Sequence, residues 1–157
     1  MKEGIGITLK GYVNLECRYV DGKIKWRTGW MENTISNSAF AAVSGLLGQI
    51  EEQEPFIWLA VGESTTAEAA GLSALGNEIT TGQLMRTMAT VTTVTTTQAS
   101  DSLQLYHIWT SITSTTIQEI GIFNTSSAGV MLGRKLTTAK SIDSGETLAA
   151  TYKIVSS

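Results

Sequence analysis

The sequence predicts a mainly β fold: an antiparallel β-sandwich (jelly-roll-like or tulip-like) of about eight strands with one helix. Three observations predict it. Apolar and polar residues alternate with period two near both ends, turn residues recur at short spacing, and a single segment has helical spacing. Residues 1–157 are read as one β-rich domain. At this size about 70% of the unfolded chain's surface can be buried, so a core stands without disulfides or metal.

Residues 8–20 put Val13, Leu15, Cys17 and Tyr19 on one face and Tyr12, Asn14, Glu16 and Arg18 on the other, a half-buried strand. Asp21-Gly22 supplies a two-residue turn, and 23–30 returns with Ile24 and Trp26 on one side. Ser36 or Asn37 caps a helix whose apolar stripe is Phe40, Val43, Leu47 and Ile50, widened by Ala39, Ala41, Ala42 and Leu46. Gly48 and the carboxylates of Glu51, Glu52 and Glu54 before Pro55 end it, since acidic groups oppose the dipole at a helix C-terminus. The apolar run 56–61 reads as a strand buried on both faces. A packed loop over 62–82 follows, tucked onto the core by Leu72 and Leu75.

The Thr-rich run 83–97 then reads as one long strand. Met85, Thr87, Ala89, Val91 and Thr93 line one face, with Arg86, Met88, Thr90, Thr92 and Val94 on the other. It pairs with 103–112, where Leu103, Leu105, His107 and Trp109 oppose Tyr106, Ile108, Thr110 and Ile112. Shorter strands follow over 117–123 and 130–136. The last, 147–155, alternates through Leu148, Ala150, Tyr152 and Ile154.

Composition narrows the function. Only 16% of residues are charged, with 23 threonines and one proline, and the net charge is −3. So little charge suggests surface covered by a partner or a neighbouring copy. The Thr-rich strand edges lack Lys or Pro to discourage pairing, which makes Val91 and Val94 expected assembly contacts. Residues 1–10 are read as an N-terminal assembly arm contributing Ile5, Ile7 and Leu9. Cys17 is the only cysteine, so no disulfide forms within the chain, and one Cys with one His leaves no metal set; no cofactor is expected. Scattered Lys and Arg on an acidic chain exclude a nucleic-acid partner. No apolar run approaches the ~20 residues of a membrane span, and none at the N-terminus suits a signal peptide.

Catalytic chemistry is equally hard to assemble. His107 is the one neutral-pH base, and no nucleophile or orienting acid accompanies it. The glycine pairs near residues 4–6 and 45–48 lack the Lys-Ser/Thr of a phosphate loop. Trp30 and Trp109 are the aromatics singled out for glycan contact, against the alternative that strand aromatics fill a core. Glu119 lies within an apolar strand and Arg134 on the returning one, so a cross-strand ion pair of structural purpose is expected.

These segments together carry a resemblance. Asn33-Thr34-Ile35-Ser36-Asn37 before an Ala-rich helix, then Trp58-Leu59-Ala60-Val61-Gly62-Glu63, then Asn77-Glu78 with Arg86, Glu119-Ile120-Gly121-Ile122-Phe123-Asn124 and Met131-Leu132-Gly133-Arg134-Lys135 follow in order. Over about 33–154 the chain resembles small β-rich virion proteins of tailed bacteriophages, the capsid decoration and tail-fibre or tail-collar components. It departs from long fibres in having no repeated shaft. The resemblance implies a non-enzymatic protein of the virion, assembled in the host cytoplasm as a homo-oligomer, commonly a trimer. Its partners would be the major capsid protein or other virion proteins.

Overall fold

The computed structural model describes residues 8–50 and 53–157. Two antiparallel sheets face each other. The first runs β2 (Ile24–Arg27), β1 (Leu9–Arg18), β11 (Thr147–Ser156), β8 (Ser102–Thr110) and β7 (Thr90–Val94), with β3 (Met31–Glu32) also paired to β1. The second runs β4 (Thr34–Ile35), β10 (Met131–Ile142), β9 (Thr115–Phe123), β5 (Trp58–Gly62) and β6 (Thr87–Met88). This is a mainly β sandwich with one helix, α1 (Asn37–Gly48).

Among the described residues eleven strands replace the expected eight or so, because at two of its four passages between the sheets the chain crosses through a single residue that separates two short strands. At the first, β3 lies in one sheet and β4 in the other, with only Asn33 between them. Asn33 is buried where Gly11 of β1 and Gly133 of β10 leave room; a Cβ on either glycine would meet its side chain at 2.0 or 2.1 Å. Its amide donates to the hydroxyl of Tyr152, whose own burial pushes the phenol pKa up. At the second corner the Thr-rich run divides. β6 pairs with β5, Ala89 N–H donates to Ile57 O at 2.8 Å, and β7 pairs with β8. The single long strand expected over 83–97 is therefore two short ones, preceded by a 3-10 turn at Gly82–Leu84. A sandwich whose strands switch sheets has two bridged corners in place of two open gaps.

The core is the alternation made physical. Val13, Leu15 and Cys17 from β1 meet Leu148, Ala150 and Tyr152 from β11 and Leu105 and Trp109 from β8 on the inner face. Opposite them sit Leu59, Val61, Ile120 and Ile122. Burial of these side chains, each worth about 1.5–3 kcal/mol, drives the two sheets together. The first turn is a three-residue loop in place of the expected two: Gly22 N–H donates to Tyr19 O and Tyr19 N–H to Lys23 O, both at 2.9 Å, with Gly22 at φ 86°. β10 extends past the expected 136 to Ile142 across a bulge.

Ser36 caps α1 by accepting from Ala39 N–H at 3.2 Å. The face it buries is not the expected stripe. Ala39 and Ala42 enter the core, Val43 and Leu46 pack at its margin, and Phe40, Leu47 and Ile50 point to solvent. Ser36 N–H donates to Leu132 O at 2.9 Å, which anchors the start of the helix on β10, so close that only alanine fits underneath. Glu51 and Glu52 lie outside the described residues, and Glu54 is exposed.

Candidate assembly surfaces

The outer face of the β9–β10 sheet is covered by the chain between β5 and β6. Leu72 and Leu75 pack there with Ala60, Phe123 and Met131, as the expected loop packing requires. Three charged clamps fasten this cover. In the first, Arg134 stands opposite Gly121, so its side chain reaches diagonally to Glu119; Nε lies 2.7 Å from Oε2, and the side chains are 2% and 0% exposed. Glu119 also accepts from the backbone N–H groups of Asn77, Gly76 and Ser64 at 2.8, 3.0 and 3.3 Å. Arg134 Nη1 donates to Thr66 O at 2.8 Å. The structure thus brings Glu119 and Arg134 together, and their other hydrogen bonds run to the loop, while Arg134 Nη2 finds no partner among the described residues.

The second clamp is Glu68. Its carboxylate accepts from Lys135 Nζ and Leu136 N–H, both at 2.9 Å, and from Thr34 Oγ1 at 2.8 Å. Burial works against the charge of Glu68, but these three donors outweigh it and hold the pKa below the usual carboxylate value. In the third, Arg86 grips Glu78 through Nε at 2.9 Å and Nη2 at 2.6 Å, donates to Thr125 O and Ala128 O, and lies 3.6 Å over the Phe123 ring. Arg86 belongs to no strand face, contrary to expectation. No periodicity in the sequence marks it, although its place after Asn77-Glu78 is a usable signal.

Among the described residues the outer face of the other sheet carries no such cover. Across it run Asn14, Thr151, Tyr106 and Thr90 in one row and Tyr12, Lys153, Gln104 and Thr92 in the next. Tyr106 and Ile108 are exposed. Trp30 is half exposed at one margin, with Lys153 Nζ 4.6 Å from its ring centre. Trp109 is corrected: only 2% exposed, it donates from Nε1 to Met85 O at 3.1 Å and fills the core, so it offers no glycan platform.

A third surface surrounds α1. Among residues 37–48 none is charged, and Phe40 and Leu47 are 53% and 77% exposed, with Ile50 just beyond at 60%. Beside this ridge opens an apolar groove of about 280 Å³, whose lining includes Leu9, Val43, Leu46, Phe56, Val91 and Leu132. Two of the expected assembly contacts, Leu9 and Val91, therefore line one groove. Leu9 is the first residue of β1, paired opposite Ser156, and so belongs to the sheet rather than to a free arm. Val94 is half-buried opposite Ser102. Ile5 and Ile7 lie outside the described residues.

The titratable groups left over form no reactive set. His107 stacks edge-on against Trp109 at 4.7 Å, and burial lowers its pKa. Burial, reinforced by Glu146, pushes the Cys17 thiol up to about 11, which keeps it protonated and unreactive. A polar cleft of about 300 Å³ is lined by Glu63, Glu78 and hydroxyl residues such as Thr80, Thr81 and Ser111, with no His, Lys or Arg. Among the described residues no three His, Cys, Asp or Glu gather as metal ligands, and no helix is long and apolar enough to cross a membrane. No protein-family model, curated protein or solved structure matches this chain.

Proposed function

We propose that this chain is a non-enzymatic virion structural protein, a capsid auxiliary or decoration protein that assembles in many copies and stabilises a bacteriophage head lattice through the major capsid protein. The observation that carries the assembly part is α1. A surface helix normally turns charge to water, whereas α1 shows solvent only uncharged residues, among them Phe40 and Leu47 beside Asn37, Ser38 and Ser44. Here the covering is supplied by assembly, since among the described residues nothing lies over Phe40 and Leu47. The virion part rests on the resemblance of the ordered segments between 33 and 154.

Copy number in purified particles tests the reading, by quantitative mass spectrometry and cryo-electron microscopy. Hundreds of copies distributed over the shell are expected. A handful confined to the tail would move the protein to a second reading, a tail-fibre or tail-associated module that touches host glycans. Trp30 favours that second reading, standing half exposed at the margin of a sheet face that also shows Tyr106, with Lys153 Nζ 4.6 Å from its ring centre. Glycan-array binding that Trp30→Ala abolishes without unfolding would support it.

A further inference from the structure

We infer that the surface around α1 is occupied by a second copy of this chain, the Phe40 and Leu47 ridge of one copy seated in the apolar groove of the next. The inference rests on the assembly reading above and names the partner. Val43 joins the two features: it lines the groove and lies three residues after Phe40 and four before Leu47, so ridge and groove are neighbours on one helix. One is convex and the other concave. All ten residues lining the groove are apolar, and the helix carries no charge.

The chemistry selects the occupant. A partner that brought a charge into this groove would strip its hydration with nothing there to pair it, whereas an uncharged apolar ridge enters without that cost. This chain displays such a ridge beside the groove. Size agrees as well. A standard contact takes about 800 Å² from each partner, a patch roughly 28 Å across. α1 is about 18 Å long, so ridge and groove make the centre of that patch, and the neutral edge strand β7 extends it through Val91. Because ridge and groove share that one patch, two copies related by a two-fold axis seat each ridge in the other's groove, and the pair closes.

Light scattering on the purified full chain tests this, with two sets of substitutions on exposed side chains. Phe40→Glu with Leu47→Glu charges the ridge, and Val91→Glu charges the groove. Wild type is expected as a closed dimer and each variant as a monomer, with circular dichroism and melting temperature unchanged. Mixing the two variants is expected to give a one-to-one heterodimer weaker than the wild-type dimer, through the one intact ridge and the one intact groove. A wild type that stays monomeric at its highest soluble concentration overturns the inference, as do variants that keep the oligomer or a mixture that does not associate. Loss of the oligomer on deleting residues 2–7, with the ridge variants unaffected, also overturns it and assigns the groove to the N-terminal segment. A monomer in solution present in hundreds of copies per particle overturns this inference alone; a stable dimer absent from particles overturns the proposed function alone.

Discussion

On the β9–β10 side of the sandwich, Glu119, Arg134 and Arg86 lie beneath or at the rim of a loop that itself supplies Glu68, and each of the four fastens it. On the β8–β11 side, Tyr106, Ile108 and Thr110 are exposed, with no loop above them among the described residues. The two faces belong to one fold and differ in what the chain does with charge. Among the described residues, Arg18, Lys23, Lys25, Arg27, Arg86, Arg134 and Lys135 all stand in ion pairs within the chain. A neutral exterior therefore has two sources here: charges are few, and several of those present are turned inward to position backbone. A buried pair contributes little net stability over an apolar filling, but it fixes where a polar loop must lie.

Breaking the central clamp should have the largest effect. Arg134→Met leaves the Glu119 carboxylate buried and unpaired, a change expected to cost about 3–5 kcal/mol and lower the melting temperature by roughly 6–20 °C in a domain of this size. Glu119→Leu combined with Arg134→Met should recover only part of that loss, because the N–H groups of Ser64, Gly76 and Asn77 lose their acceptor as well. Full recovery in thermal melts would show that the pair, rather than its grip on the loop, is what matters.

A smaller effect is expected at Glu68. Its folded pKa lies below the ordinary 4.5, so its contribution is complete above that value and fades as pH falls through and below it. Between about pH 6 and 3, the urea midpoint of wild type should therefore drop further than that of Glu68→Gln. Parallel curves would remove Glu68 from the set of clamps. The smallest effects belong to the open face: Tyr106→Ser and Ile108→Thr should each change stability by no more than about 0.5 kcal/mol, measured by the same melts. A large loss at either would mean that this face is less free than its exposure indicates.

Much of the inner surface was legible from sequence. Val13, Leu15 and Cys17 in β1 and Leu148, Ala150, Tyr152 and Ile154 in β11 face inward as their alternation demands, because a strand's side chains have no third direction. Leu72 and Leu75 tuck the loop down as read, and Glu119 and Arg134 meet because an acid inside an apolar strand needs a base within reach. Arg86 was misplaced, since its partners, Glu78, Thr125 O and Ala128 O, come from segments that only the folded chain assembles.

The sequence by itself determined the class of the fold, the position of the helix with its cap at Ser36 or Asn37, and the inward faces of the terminal strands. All of these follow from spacing within one segment. Tertiary structure alone decided that α1 buries Ala39 and Ala42 while showing Phe40 and Leu47, that the Thr-rich run is divided between two sheets at Ala89, and that Trp109 is core. The physical reason is the same in each case. Spacing tells which residues share a face, but how near a neighbouring element approaches tells which face is buried, and how large a side chain can stand there.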